Sequence, residues 1–279
     1  MNTRRSFLRN TSLAAGLLLL KSPIRAFAQP ATATIRLSGN SEGLLVHYTN
    51  DMHGAVFNHN GVSGDLLVDA GDFTDGSNDP AKHLQLIRQM NEAGYHAATI
   101  GNRELANGPA ALATLIPAMN FALVNCNYRF ADSRLAALVK QEVIVHKGEL
   151  KIGITGVGPA LSGVSGVTFT DPVTAASAAA RRLQQQGCQF VICLSHLGYD
   201  LTPGNVSNYA LANQTSGIHF IVGGHQHGYN GCLRTLLNTD MREVMLGHAG
   251  SNGQQKGTLA VTFDEQQQLR GIAPGLLLA

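Results

Sequence analysis

The sequence predicts an α/β fold in which two mixed β-sheets pack between helices. From Leu44 onward, short apolar runs alternate with segments of helical pattern, which is typical of stacked β-α units. The later apolar runs, such as residues 243–246 and 258–263, are not separated by helical segments and indicate antiparallel strands. A parallel half followed by an antiparallel half therefore favours two mixed sheets over one continuous parallel sheet.

The predicted elements follow one another in a regular order along the chain. Short apolar runs predict strands at residues 44–46, 66–68, 97–100, 121–124, 188–194 and 218–222, and a hairpin at 143–157. Helices are predicted from Pro80 to about Glu92, from about Pro109, and from Pro172 to Gly187. A proline in the first turn and a glycine after the last turn are typical helix boundaries. Residues 54–65 are barely long enough for a parallel crossover.

Residues 1–28 have the pattern of a cleaved export signal. A twin-arginine sequence at Arg4 and Arg5 precedes an apolar segment at residues 13–20. Ala26-Phe27-Ala28 then matches an A-x-A cleavage site. The apolar segment is too short to span a bilayer as a helix, so no stable membrane span is expected. We therefore expect a periplasmic or otherwise exported protein with one domain at residues 29–279.

The net charge of the predicted mature chain is negative. The whole chain has a formal net charge of +2, and residues 1–28 carry five positive charges and no acidic group. Removal of that segment leaves a net charge of −3. No basic run with interleaved aromatic residues follows, so the sequence gives no indication of a nucleic-acid polymer as partner.

Polar side chains that can bind metal ions follow five of the predicted strands. The carboxyl ends of neighbouring strands meet at one edge of an α/β sheet, which brings such residues together. The set contains oxygen and nitrogen donors and no thiolate, which suits Zn²⁺, Mn²⁺ or Fe. Seven donors are too many for one ion in such a site, whereas two ions that share a carboxylate fit the set and can hold a bridging hydroxide. The candidate metal ligands are Asp51, His53, Asp72, Asn102, His196, His225 and His227.

The motifs around these residues resemble the calcineurin-like metallophosphoesterase domain of the periplasmic 5′-nucleotidase family. The resemblance extends from about Leu44 to Phe263 and rests on five motifs in the same order. It implies a four-layer α/β/β/α sandwich with two mixed sheets. The motifs are Thr49-Asn50-Asp51-x-His53-Gly54, Asp69-Ala70-Gly71-Asp72, Gly101-Asn102-x-Glu104, Leu194-Ser195-His196-Leu197-Gly198 and Gly223-Gly224-His225-x-His227.

The resemblance also implies a role for each candidate ligand. Asp51, His53 and His227 would bind one divalent ion, while Asn102, His196 and His225 would bind the second. Asp72 would bridge the two ions. The implied activity is the hydrolysis of phosphomonoesters by attack of a metal-bridged hydroxide, with 5′-nucleotides among the candidate substrates. His248 lies where the last loop of the family approaches the metals and is a candidate substrate contact.

Two positions depart from the family pattern. The family has histidine directly after the motif asparagine and aspartate three residues later, whereas this chain has Arg103 and Ala106. Arginine stays protonated and cannot serve as a proton donor, but it can hold phosphate oxygens. We therefore expect Arg103 and Asp72 to be the catalytic residues of a phosphoesterase. Loss of both dyad members motivates, as the alternative, a catalytically weakened, metal-containing binding or partner subunit. Related two-metal chemistry on another anion, as in thiosulfohydrolases, is a third reading.

The resemblance to 5′-nucleotidases covers their metal-binding domain alone. Those enzymes carry a further C-terminal domain that stacks the nucleobase on aromatic residues, and we expect none after residue 263 in this chain. We expect base recognition either to be absent or to come from a separate chain that carries such a domain. The expected substrate is a small phosphorylated molecule.

Overall fold

The two predicted sheets are present in the structure. A computed structural model describes residues 33–39, 43–55, 65–199, 205–228 and 232–275, so the predicted export signal and residues 56–64 lie outside the described residues. The strands are β1 Ala33–Leu37, β2 Gly43–Thr49, β3 Leu66–Asp69, β4 Ala97–Thr99, β5 Ala122–Val124, β6 Tyr128–Phe130, β7 Glu142–Lys147, β8 Leu150–Val157, β9 Val167–Phe169, β10 Phe190–Ser195, β11 Phe220–Gly223, β12 Cys232–Leu237, β13 Glu243–His248, β14 Gly257–Phe263 and β15 Leu269–Pro274.

Both large sheets contain parallel and antiparallel pairs. The seven-stranded sheet has the order β1-β7-β8-β10-β11-β13-β12, and the six-stranded sheet has the order β15-β14-β2-β3-β4-β5. Strands β6 and β9 form a separate two-stranded ribbon. Strands β2 to β5 run parallel, and β14 joins β2 antiparallel. The prediction of two mixed sheets is therefore confirmed.

The three predicted helices are present close to their predicted positions, and the structure adds two that the sequence did not indicate. The helices are α1 Pro80–Ala93, α2 Pro109–Leu115, α3 Ser133–Leu138, α4 Pro172–Gln185 and α5 Asn208–Gln214, with a short 3₁₀ turn at Ile116–Ala118, and the two additional helices are α3 and α5. The side chain of Asp79 accepts hydrogen bonds from the first turn of α1, and Gly94 ends that helix in the left-handed conformation. Among the described residues, no helix combines the length and hydropathy that a membrane crossing requires.

Three apolar clusters separate four layers. One cluster lies between the two sheets and includes Tyr48, Phe190 and Phe220. A second joins the outer face of the six-stranded sheet to α1 and α2, and a third joins the outer face of the seven-stranded sheet to α4 and α5. The helices therefore cover the outer faces of two stacked sheets, and the α/β/β/α sandwich is confirmed.

The predicted antiparallel pairing of residues 243–246 is confirmed on one side only. Strand β13 pairs antiparallel with β12 but parallel with β11, which the sequence did not indicate. The reason is that β13 extends the parallel row of the seven-stranded sheet before the chain crosses to the other sheet at β14. Strands β2 and β3 do pair in parallel, although most of the connection between them lies outside the described residues.

Tyr48 packs against two glycines between the sheets. A Cβ atom at Gly257, its partner across β2 and β14, would lie 1.9 Å from the Tyr48 ring. A Cβ atom at Gly247, in β13 of the other sheet, would lie 2.7 Å from the Tyr48 hydroxyl. Both positions therefore require glycine for this ring, which stands three residues before Asp51.

We expect Gly257→Ala to lower the free energy of unfolding by about 1–3 kcal/mol, because the new methyl group overlaps the Tyr48 ring in a packed layer. The measurement is the urea midpoint at constant m-value. Gly43→Ala is the matched control in the adjacent strand, where the nearest contact would be an ordinary 3.5 Å. Equal midpoints for the two variants would contradict this packing.

Candidate metal centre

All seven predicted ligands lie in loops that follow strands. Asp51 and His53 follow β2, Asp72 follows β3, and Asn102 follows β4, all in the six-stranded sheet. His196 follows β10, and His225 and His227 follow β11, in the seven-stranded sheet. The loops from the two sheets meet at one end of the sandwich, so both sheets contribute to one site.

Four of these residues adopt a left-handed backbone conformation. The φ angles are 51° at Asp51, 51° at His53, 56° at Asp72 and 79° at His225. Such angles cost residues other than glycine on the order of 1–3 kcal/mol each and persist where the surroundings impose them. Backbone hydrogen bonds impose them here, since the N–H groups of Asp51 and His53 donate to the Gly71 and Asp72 carbonyls at 3.0 and 2.9 Å. The fold thus turns these side chains toward one point.

The Asp51 carboxylate is at the centre of the site and is fully buried. It accepts a hydrogen bond from Asn50 Nδ2 at 2.7 Å and faces the His225 backbone N–H at 3.1 Å. The Nε2 atoms of three imidazoles face its Oδ1, at 3.6 Å for His227, 3.9 Å for His53 and 4.0 Å for His196. One buried carboxylate therefore connects loops of both sheets.

The Asp72 carboxylate is the second acidic group of the site. Its Oδ1 lies 3.3 Å from His196 Nε2 and accepts the backbone N–H of Arg103 at 2.8 Å. Its Oδ2 lies 3.9 Å from His53 Nε2 and 3.3 Å from Arg103 Nε. A Cβ atom at Gly101 would lie 2.2 Å from Asp72 Oδ1, so glycine is required where these loops meet.

The donor atoms form two compact groups that share Asp51. Asp51, His53 and His227 form one group, and Asp51, Asp72 and His196 form the other, with the ligand atoms of each within 4.8 Å of one another. The first is the predicted first trio. Near the second group, Asn102 Oδ1 lies 3.0 Å from His225 Nδ1, and the rings of His196 and His225 are 5.0 Å apart. The structure brings all seven residues together, while the assignment of each to an ion stays a prediction.

The residues of the site fit divalent metal ions. The Nε2 atoms of His53 and His196 are buried and make no hydrogen bond within the described part of the chain. Their Nδ1 atoms donate at 2.8 Å, to Asn252 Oδ1 and to the Ala70 carbonyl respectively. In the neutral imidazole this leaves the lone pair on Nε2, which is how metal-binding histidines are held by outer partners. Two lone pairs thus point at two buried carboxylates, as ligands of a shared pair of ions would.

Glu104 joins the Asp72 loop to the Asn102 loop. Its buried carboxylate accepts backbone N–H groups of Asp72 and Thr74 at 2.9 Å and of Gly101 at 2.8 Å. The sequence motif contained Glu104 but gave it no role. Asn252 was missed altogether, because no local pattern connects it to His53, which lies 199 residues earlier.

Burial and neighbouring charge shift the titration of these groups. Burial opposes protonation of His196, yet the Asp72 and Asp51 carboxylates raise its pKa to about 9. Burial opposes ionisation of Asp72, yet His196 and Arg103 hold its pKa below the usual range. Burial and the Asp72 charge raise the pKa of Glu104 to about 7. The Asp51 and Asp72 carboxylates thus favour positive charge at this point, as they would favour a bound cation.

Arg103 contacts the site from its open side. Its Nε faces Asp72 Oδ2, its Nη1 donates to the Asp75 carbonyl at 3.1 Å, and its side chain is 35% exposed. Ala106 is exposed nearby and offers no titratable group. The place of the family dyad therefore holds a cation next to the predicted bridging carboxylate.

His248 lies behind the site rather than in its opening. The side chain is fully buried, and its Nε2 is 3.1 Å from Asn50 Nδ2 and 3.8 Å from Asp51 Oδ2. The structure gives His248 no solvent access and places it against Asn50 and Asp51, so a role as substrate contact stays a prediction. Asn50 links it to Asp51, and the Asn50 Oδ1 accepts the Ala249 N–H at 2.7 Å.

Comparisons with known proteins identify the family of the chain. The sequence pattern of the calcineurin-like phosphoesterases matches residues 46–229. A snake venom 5′-nucleotidase of Gloydius brevicauda is 28% identical over 75% of this chain and 38% of its own length. A probable 5′-nucleotidase of Treponema pallidum (strain Nichols) is 31% identical over 63% of this chain and 32% of its own length.

A solved structure has the same fold. The 5′-nucleotidase precursor of Thermus thermophilus superposes with a TM-score of 0.71 at 25% identity, over 83% of this chain and 53% of that one. The chain thus spans well under two thirds of each of these three relatives. The match over most of the metal-binding loops nevertheless confirms the resemblance seen in the sequence. The chain belongs to the calcineurin-like phosphoesterase family and is a metallophosphoesterase related to 5′-nucleotidases.

Proposed function

We propose that the chain is an exported phosphoesterase that uses two divalent ions, Zn²⁺, Mn²⁺ or Fe, to hydrolyse phosphomonoesters, including 5′-nucleotides. The observation that carries the proposal is the pair of buried imidazole Nε2 atoms, of His53 and His196, which face two buried carboxylates. Bound ions of this type supply an activated hydroxide and neutralise charge on a phosphoryl group.

In this proposal, some side chains of the site bind the metal ions and Arg103 binds the phosphate. Asp51 and Asp72 would hold the ions together, and the histidines and Asn102 would complete their coordination. Arg103 lies on the open side next to Asp72, where its guanidinium can bind phosphate oxygens and stabilise the charge that develops on them. Because arginine cannot protonate a leaving group, esters with good leaving groups should react fastest.

The choice of 5′-nucleotides as substrates is supported by the relatives. Two of them are named 5′-nucleotidases, and this chain covers less than two fifths of each. The rest of those proteins has no counterpart in the aligned region. A separate chain could supply a corresponding C-terminal domain, and we include such a partner in the proposal.

One observation favours a second candidate function. The Arg103 side chain lies 3.3 Å from the carboxylate predicted to bridge the ions, at the position of the lost dyad. A cation held there could weaken metal binding or block the in-line approach of a nucleophile. The second candidate is therefore a metal-containing binding or partner subunit whose catalysis has weakened.

We expect the mature chain to bind two Mn²⁺ ions and to hydrolyse p-nitrophenyl phosphate and 5′-AMP, and expect chelation to abolish the turnover. Asp72→Ala should lose at least one ion and reduce turnover to background, because the carboxylate shared by the ions is gone. Metal content by mass spectrometry and phosphate release are the measurements. Asp240→Ala, at an exposed aspartate, is the control. Full turnover by Asp72→Ala would refute the proposal.

Substitution of Arg103 distinguishes the two candidates. If the guanidinium binds the phosphate, Arg103→Ala should lower kcat/KM for p-nitrophenyl phosphate about 10- to 100-fold, as expected for loss of a hydrogen bond from a charged group. Arg134→Ala, at a side chain that is 67% exposed, is the control and should retain native rates. An inactive native chain that gains turnover as Arg103→His would instead support the binding subunit.

Export can be tested on the full chain. We expect the exported protein to begin at Gln29, because Ala26-Phe27-Ala28 forms the cleavage site, and we expect it in the periplasmic fraction. Replacement of Arg4 and Arg5 by lysine should retain the uncleaved chain in the cytoplasm, with intact mass as the measurement. The same change at Arg181 leaves the signal unaltered and serves as the control. An unprocessed chain in both cases would argue against export.

A further inference from the structure

A cavity of about 580 Å³ opens beside the candidate metal centre. Asn102 and His225, two of the predicted ligands, form its inner end. Its other walls come from residues 158–164, from residues 169–172, and from the residues around Leu197 and Val206. The volume lies in the range of about 300–1,000 Å³ that is usual for small-molecule sites. A phosphate bound at the metals would therefore have its organic group next to this space.

The outer part of the cavity presents apolar side chains to solvent. Phe169, at the end of β9, is 49% exposed although it is a large aromatic residue. Leu161, Val164 and Leu197 also line the cavity. A planar ring can stack on an exposed phenyl ring in a concave site. A small polar group would gain little binding free energy from the same contact.

The described lining residues of the cavity contribute no lysine or arginine. Asp171 is their one carboxylate, and it accepts the N–H and the hydroxyl of Thr174 at 2.7 Å as the cap of α4. An anionic organic group would therefore meet a negative charge and no cation. The lining favours an uncharged group.

The wall formed by residues 158–170 is held at both ends. Asn127 is buried, and its side chain donates to the Gly158 carbonyl and accepts the Gly158 N–H, both at 2.9 Å. Its backbone carbonyl accepts the Thr170 N–H at 2.8 Å. The hydroxyl of Tyr128 donates to the Pro159 carbonyl at 2.7 Å. Phe169 is therefore presented by a braced segment, which reduces the ordering cost of binding.

We propose that this cavity binds the uncharged, ring-bearing organic group of the phosphomonoester substrate, with the ring packed against Phe169. The inference rests on the proposed function for the position of the phosphate. It assigns recognition of the organic group to this domain itself, in addition to anything that a second domain supplies. The predicted substrate class is nucleoside and aryl monophosphates rather than nucleoside polyphosphates or sugar-sized polyol phosphates.

Truncation of the ring provides the main test. We expect Phe169→Ala to lower kcat/KM for 5′-AMP and p-nitrophenyl phosphate about 5- to 100-fold, as measured for loss of base–aromatic stacking. The value for glycerol 2-phosphate should stay within about twofold, because this ester has no ring to stack. Met241→Ala removes another apolar side chain, which is 74% exposed and lies outside the cavity. It should leave kcat/KM unchanged for all three esters. An equal loss for all three esters, or no loss, would overturn the proposal.

Charge discrimination tests the second part of the proposal. With its terminal phosphate at the metals, 5′-ADP would place an anionic group in the cavity, next to Asp171. We expect kcat/KM for 5′-ADP to be at least about tenfold below that for 5′-AMP. Equal values would overturn the preference for an uncharged group.

Direct binding separates this inference from the proposed function. Calorimetry with adenosine and the Mn²⁺-loaded chain should show saturable binding that Phe169→Ala weakens about fivefold or more and Met241→Ala leaves unchanged. This result without turnover of any ester would support ring binding in the cavity and would contradict the proposed phosphoesterase activity. Ester turnover without adenosine binding, and with the same kcat/KM in Phe169→Ala as in the native chain, would contradict ring binding in the cavity but not the proposed activity.

Discussion

The buried Asp51 carboxylate is the interaction on which the arrangement of the site depends. It lies within 4.0 Å of the Nε2 atoms of His53, His196 and His227 and also accepts a hydrogen bond from Asn50. A buried anion is costly unless charge or hydrogen bonds compensate it. Because the compensating groups come from both sheets, the requirement ties the two halves of the sandwich together at the metal centre.

The backbone around this carboxylate is held by groups that do not contact a substrate. Glu104 accepts three backbone N–H groups from two loops, and Asn252 and the Ala70 carbonyl orient the imidazoles of His53 and His196. These contacts offset the strain of left-handed residues at the loop ends. Side chains that are already held in place can bind metal ions with less reorganisation. These hydrogen bonds would therefore favour metal binding.

The open side of the site differs in character from the buried side. Arg103 supplies the one fixed positive charge next to Asp72 among the described contacts of that carboxylate. The neighbouring cavity has no lysine or arginine in its described lining and includes the exposed Phe169 ring. A phosphate and an uncharged ring would thus meet different surfaces a short distance apart. If the proposed function holds, this division gives a physical basis for selecting phosphomonoesters by their organic group.

The sequence by itself determined the fold class, most element boundaries and the seven candidate ligands, because apolar periodicity, proline and glycine boundaries and polar residues after strands are local signals. It missed the parallel pairing of β13 with β11, and it overlooked α3, α5, Asn252 and the role of Glu104. Those features depend on contacts between residues far apart in the chain, such as His53 with Asn252. Only the tertiary structure decided them, since long-range packing, not local pattern, sets which strands and loops become neighbours.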